Sequence, residues 1–319
     1  MTGIEFSELP QPAASGRVSV VIPSRNRPDQ LRTCLEALAA SHLPTSEFEV
    51  VVVDDGGHVP LDTMVESFAS RLTVSLARQE PSGPACARNL GARLAGGELL
   101  AFVDDDCSPT PSWLGELALT CRYRKDCLVG GRTVNVLEDN QFAHASQLLV
   151  NYLCGYYNCE PDGTTFLTSN NMAAPRRRFL EIGGMDERFP RAAAEDRDLC
   201  DRWRMRGWPV AFAPGAVVRH SHRMTLAGFL RQHFDYGRGA WLYHRLRRLR
   251  SGLPLRIEPA SFYTNLAMHP FRQVDCRHRA QLCALMLLTQ AANTTGFTVE
   301  ALSTLLRVSP DASHREAMN

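Results

Sequence analysis

Hydrophobic and polar positions alternate in blocks along the first half of the chain. Val18-Ser-Val-Val-Ile22 is a β-rich run that Pro23 closes. Pro28 suits a first helical turn, and Leu31, Cys34, Leu35 and Leu38 then repeat at helical spacing. Val50-Val-Val-Val53 is continuous and apolar, as expected of a parallel strand covered on both faces, and it ends in the turn chemistry of Asp54-Asp55-Gly56-Gly57. The pattern next predicts a helix near 61–70, a strand at 72–76, the loop Glu80-Pro-Ser-Gly-Pro84 and a helix through Ala85–Leu94. Leu99-Leu-Ala-Phe-Val103 is a further buried strand running straight into Asp104-Asp105-Asp106. This strand–helix rhythm predicts an α/β fold built on a doubly wound, mostly parallel sheet with flanking helices, whose ligands lie beyond the carboxyl ends of the strands.

Past residue 111 the pattern is mixed. A helix is expected to about 125, strands at 127–136 and 164–168 with a helix between them, and a short helix from Pro175 to Gly183-Gly184. Glu195–Met205 reads as a helix and Trp208–Phe212 as a strand. Beyond Thr225 the chain turns helical and arginine-rich. We therefore expect a flexible lead-in at 1–16, one α/β domain at 17–224 and a helical C-terminal region at 225–319. The longest apolar stretch, Ala280–Ala292, falls short of the roughly 20 residues a spanning helix needs.

Composition narrows the chemistry. In 319 residues, 35 basic side chains nearly balance 34 acidic ones, so no global field draws in nucleic acid. Lys125 is the only lysine, which removes a Walker phosphate loop and leaves one candidate for Schiff-base chemistry. Ten cysteines include no Cys-x-x-Cys pair, and the polar start lacks a basic-then-apolar leader; both predict free thiols in a reducing cytoplasm.

Two acidic clusters carry the candidate chemistry. Asp104, Asp105 and Asp106 repel one another at the end of a buried strand, and hard oxygen ligands of this kind suit Mn2+ or Mg2+. Solvent offsets the same charge if the turn is exposed. Glu195-Asp196 opens a helix, where the dipole favours acids, and a carboxylate there also serves as a general base toward a hydroxyl. Asp55 at a strand end offers an acceptor for a base or ribose, and Arg25 and Arg88 offer charge to a phosphate or a carboxylate. His220 and His222 follow a strand-like run and can complete a metal shell.

In order, the segments Val18–Asn26, Asp54-Asp55-Gly56, GPACARNLG at 83–91, GELLAFVDDD at 97–106, GGMDE at 183–187 and EDRDLCD at 195–201 resemble family 2 glycosyltransferases of the GT-A fold, over about residues 17–245. The resemblance implies a GT-A, Rossmann-like domain with a helical extension. The implied enzyme is inverting and moves a sugar from a nucleotide-diphosphate donor, UDP- or dTDP-linked, to a hydroxyl acceptor that is a small molecule, a glycan or lipid-linked. It further implies that Asp104 and Asp106 match the D-x-D element, with Asp106 on a divalent metal and Asp104 facing ribose or metal. Pro23, Arg25, Asp55, Arg88 and Asp105 fall in the nucleotide-sugar pocket. Asp196 matches the general base with Glu195 beside it, and His220 matches a metal or diphosphate position, with His222 as its substitute. The sequence departs from the pattern at Gly57, where serine is frequent, and at Ala193-Ala194, where glycine is frequent. A nucleotidyltransferase shares the acidic site but wants a glycine-rich loop after the first strand, which Pro23-Ser-Arg-Asn-Arg27 lacks; a silent nucleotide-sugar-binding subunit is the other alternative. The basic helix around His244–Arg250, with leucines at 242, 246, 249 and 253, either packs on the core or gives a peripheral contact with the inner face of the membrane.

Overall fold

The computed structural model describes residues 17–137, 139–158, 163–252, 254–255, 257–273 and 278–308. The lead-in expected at 1–16 lies outside the described residues. The described chain falls into two units.

The first unit comprises residues up to Asp139 together with Val150–Arg223. Its strands are β1 (Val18–Ser24), β2 (Phe48–Asp55), β3 (Val74–Gln79), β4 (Leu99–Val103), β5 (Cys107–Pro109), β6 (Leu128–Asn135), β7 (Asn171–Pro175) and β8 (Val210–His220). They form one sheet in the order β3-β2-β1-β4-β7-β6-β8-β5. The β1–β2, β2–β3, β1–β4 and β6–β8 ladders are parallel; β7 runs antiparallel to both neighbours and β5 antiparallel to β8. The sheet is therefore mixed, with two reversed strands in an otherwise parallel frame.

Helices α1 (Pro28–Ala39), α2 (Asp62–Glu66), α3 (Pro84–Leu94), α4 (Trp113–Tyr123), α6 (Arg176–Glu181) and α7 (Glu195–Met205) belong to this unit; α5 (Gln141–Tyr157) begins in the second. Two of the buried clusters flank the sheet on opposite faces. One gathers Val20, Ile22, Val50 and Val52 with Leu31 and Leu35 of α1 and Leu117 of α4. The other gathers Val21, Leu100 and Phe102 with Phe179, Leu199 and Trp203. Alternate residues of β1 and β4 thus feed opposite layers, which is why these runs are apolar throughout.

Four local expectations are corrected. Residues 164–168 form no strand: Leu167 is buried against Gly130, while the backbone N–H groups of Thr165 and Phe166 donate to the side chain of Asn158, each at 3.0 Å. A β-rich composition there serves a buried anchor, not a ladder. The expected helix at 61–70 shortens to α2, and β3 shifts to Val74–Gln79 because its register is set by Val50–Asp55 of β2. The strand expected to end at 212 continues to His220. The eight cysteines among the described residues are free thiols.

The second unit comprises Asn140–Leu149 and the residues from Met224 onward. It contains α8 (Leu226–Ser251), α9 (Ala260–Ala267), α10 (His269–Arg272) and α11 (Arg279–Val308). The stretch 280–292, which by itself is too short to span a bilayer, is part of this 30-residue helix, and α11 over Arg279–Leu306 is long and apolar enough to cross one by length and composition. α8 and α11 pack in close contact. A Cβ on Gly237 would collide with the carbonyl of Asn293, and one on Gly296 with the carbonyl of Phe234. Arg238 pairs with Glu300 at 2.5 Å, and the Trp241 indole N–H donates to Thr304 at 3.1 Å.

Helix propensity alone favours Gly237→Ala by about 1 kcal/mol. The packing predicts the opposite sign. Gly237→Ala should lower stability in urea unfolding, by about 1–3 kcal/mol as the helices are forced apart.

Candidate active site

The site is built at the carboxyl edge of the sheet in the first unit. β4 delivers Asp104-Asp105-Asp106, and the three carboxylates diverge. Asp104 lies at the rim, half-buried, and accepts from Arg88 Nη2 at 2.6 Å. Asp105 points inward and accepts from the Ser24 hydroxyl at 2.8 Å and Arg27 Nη1 at 3.2 Å. Burial pushes its carboxyl up to about 6, against the charge of Arg27 and with the help of Asp106. Asp106 accepts from Arg27 at 3.0 Å and lies 3.2 Å from His220 Nε2 and 3.0 Å from His222 Nδ1. Burial would raise Asp106 as well, but the hydrogen bonds to the two imidazoles, with Arg27, hold it well below the usual carboxylate range.

Local geometry explains why both histidines arrive. The short β5 pairs Cys107 with His220, and the Ser221 N–H donates to the Asp106 carbonyl at 2.9 Å. His220 and His222 therefore flank the same carboxylate, their rings stacked with centroids 5.7 Å apart. Burial opposes protonation of His220, yet Asp106 overrides it and raises the imidazole above its ordinary value. Asp106, Cys107 and His220 place their ligand atoms within 4.8 Å of one another. Carboxylate oxygen with imidazole nitrogen is a donor set that suits a divalent first-row cation.

Arg88 is the centre of the arrangement. It lies on α3, is 1% exposed, and joins the acidic triplet to the second acidic pair. Its Nη2 meets Asp104 and its Nη1 meets Glu195 Oε1 at 3.2 Å. Glu195 is enclosed, and its Oε2 has no hydrogen-bond partner among the described residues. Burial, reinforced by Asp196 and opposed by Arg88, raises the Glu195 carboxyl above its ordinary value. Asp196 accepts from the backbone N–H of Arg197 at 2.7 Å and of Ser169 at 3.4 Å, and burial raises its carboxyl too.

The next residue of α3 shapes the neighbouring loop. The Asn89 side chain accepts from the Met185 N–H and donates to the Met185 carbonyl, both at 2.8 Å, like a strand partner. Gly184, at φ +69°, leaves the space that Asn89 fills. Arg202, held by Asp198 at 2.7 Å, caps the carbonyls of Ile182 and Gly184 and so ties α7 to the same loop. GPACARN, GGMDE and EDRDLCD are thus three faces of one bonded assembly.

The remaining candidates are placed differently. Asp55 is spent on structure: it accepts from Gln79 at 2.7 Å, Ser82 N–H at 2.8 Å and Gly83 N–H at 2.9 Å, fixing the loop into α3. Arg25 is exposed and Pro23 half-buried at the end of β1. Arg27, not Arg25, reaches the acidic triplet. Asn26, at φ +57°, accepts from His58 and Val59 N–H groups and turns the chain so that Arg27 faces inward. Ser24, Arg27 and Ser169 were not singled out from sequence. Strand alternation does not separate Arg27 from Arg25, which are two residues apart; the left-handed turn at Asn26 does.

Residues 19–183 match the family model described as "Glycosyl transferase family 2". The chain is 41% identical over 238 residues to validoxylamine A glucosyltransferase of Streptomyces hygroscopicus subsp. limoneus, covering 65% of this chain and 52% of that protein. It is 30% identical over 227 residues to the pre-mycofactocin glycosyltransferase of Mycobacterium tuberculosis (strain CDC 1551 / Oshkosh), covering 70% of this chain and 46% of that one. The chain spans about half the length of these curated relatives. Among solved structures, the mannosyltransferase PcManGT from Pyrobaculum calidifontis, in complex with GDP-Man and Mn2+, has a TM-score of 0.58 at 17% identity, covering 97% of this chain and 85% of that one. S. aureus TarS 1-349 has a TM-score of 0.54 at 16% identity, covering 91% of each chain. The chain belongs to glycosyl transferase family 2, and its mixed sheet with flanking helices is the GT-A-like fold expected from sequence.

Ala194 adopts φ 70° at the start of α7, directly before Glu195. A left-handed alanine costs about 1–2 kcal/mol. Ala194→Gly should raise stability by up to about 1 kcal/mol once the entropy of glycine is set against the relieved strain, read as a higher unfolding midpoint in urea.

Proposed function

We propose that this chain transfers a sugar from a nucleotide-diphosphate donor to a hydroxyl acceptor with inversion, by direct displacement with Asp196 as the base. The observation that carries the reading is the Arg88 bridge, which sets the acidic triplet and the Glu195-Asp196 pair on either side of one guanidinium. A donor bound at the triplet would then have a carboxylate within the same edge of the sheet.

Asp106, His220 and His222, with Asp104 at the rim, are the residues that would hold a divalent cation, Mn2+ or Mg2+. Such a cation, when bound, supplies charge neutralisation to the departing diphosphate. Arg27, at the same carboxylates, adds positive charge beside the leaving group. Asp196 takes the proton from the attacking hydroxyl at a carboxylate oxygen; a base whose pKa is raised by burial accepts that proton more readily than an ordinary aspartate. Glu195, enclosed and paired with Arg88, positions the base and shares its charge environment. Pro23, Arg25 and Asp105 border the donor side, and Asp55 acts there by shaping the loop into α3.

The complexes of the structural neighbours support a nucleotide sugar as donor. TarS has been solved with UDP-GlcNAc, and PcManGT with GDP-Man. We assign a UDP- or dTDP-linked donor here on the sequence resemblance, and a hydroxyl acceptor on the presence of one carboxylate base. We place the reaction in the cytoplasm.

Asp196→Asn should lower transfer by about 10²–10⁴-fold while leaving Mn2+-dependent binding of the nucleotide diphosphate within about threefold of the parent. Asp106→Asn should abolish metal-dependent binding, and transfer with it. Calorimetry with UDP, dTDP and GDP, beside a product assay, checks both. Because burial raises Asp196, the acidic limb of the rate profile should lie above the ordinary aspartate range, with activity lost as pH falls through it. Full transfer by Asp196→Asn would remove the assigned base.

A further inference from the structure

Charge is balanced over the whole chain but not within it. The second unit carries twelve arginines against six carboxylates, a net of +6, which leaves −5 on the remainder. The same unit holds thirteen of the eighteen large hydrophobic side chains that stand exposed among the described residues. Both features meet at one end of the α8–α11 pair.

α11 carries no charged residue between Arg279 and Glu300. Its inner face is used: Leu282, Leu285, Met286 and Thr289 are buried, Gly296 abuts Phe234, and Glu300 holds Arg238. Its outer face is not. Leu302, Leu305 and Leu306 are 55%, 64% and 73% exposed. The contacts Phe234–Gly296, Arg238–Glu300 and Trp241–Thr304 advance together along both helices, so the two run parallel and their carboxyl ends coincide. That end of α8 presents exposed Arg245, Arg248 and Leu249.

We propose that this leucine–arginine end of the α8–α11 pair docks in the plane of an anionic lipid bilayer. A helix with one face spent on protein contacts and an ion pair has only its other face to give to lipid, so the geometry favours lying in the interface over crossing it. Charge decides between lipid and a second copy of this chain. A symmetric self-contact would bring two copies of the same basic patch together, whereas an anionic surface attracts Arg245 and Arg248 as the leucines enter the acyl boundary.

The test uses the whole chain and co-sedimentation with vesicles of phosphatidylcholine alone or with about 30% phosphatidylglycerol. The parent should bind the anionic vesicles at least about tenfold more strongly, with binding falling as salt rises. Leu302→Asp/Leu306→Asp and Arg245→Glu/Arg248→Glu should each cut that binding about tenfold or more with melting temperatures unchanged, since all four side chains point outward. Absence of binding to anionic vesicles overturns the proposal. So does binding that survives both double variants. A dimer in sedimentation velocity that Leu302→Asp/Leu306→Asp dissociates, with no vesicle binding by the parent, would assign the face to a second copy instead.

Discussion

A buried guanidinium between two carboxylates governs this molecule. Arg88 is enclosed on α3, and each of its terminal nitrogens has a carboxylate from a different part of the chain, Asp104 after β4 and Glu195 at the start of α7. Taking such charges out of water costs several kcal/mol per ion, which close pairing repays only when each ion keeps its partner. Removing Arg88 would leave Glu195 charged and dry, or protonated. The pairing therefore fixes two things at once: where α7 begins, and how much negative charge the edge of the sheet tolerates.

The rest of the site follows from that constraint. Asn89 locks the loop at Met185, and Asp55 braces the turn that leads into α3, so the helix carrying Arg88 is held from both directions. On the far side of the triplet, Arg27 and two imidazoles balance Asp105 and Asp106. Three adjacent aspartates coexist because each is answered: Asp104 by Arg88, Asp105 by Ser24 and Arg27, and Asp106 by Arg27 and the two imidazoles.

Much of this was legible in the sequence. Buried parallel strands announce themselves as unbroken apolar runs, and Val50–Val53 and Leu99–Val103 did so. The acidic clusters were visible as clusters, and the order of motifs gave the family. What escaped was anything set by pairing across the fold. The run at 164–168 has strand composition, but the Asn158 side chain takes its backbone donors. Arg25 and Arg27 are alike in sequence, and only the left-handed turn at Asn26 decides which one faces the aspartates. The whole-chain charge balance concealed two opposite halves, and Thr294, Thr295 and Gly296 broke up the apolar pattern of α11 without ending the helix.

A double-mutant cycle on Arg88 and Glu195 tests the central claim most directly. Arg88→Met alone should destabilise the protein by about 3–5 kcal/mol, because it strands a buried carboxylate. Adding Glu195→Gln should recover at least about 1 kcal/mol of that loss in chemical denaturation, since the stranded charge is gone. Losses that simply add, to within about 0.5 kcal/mol, would mean the two side chains do not depend on each other, and the account built on their pairing would be wrong.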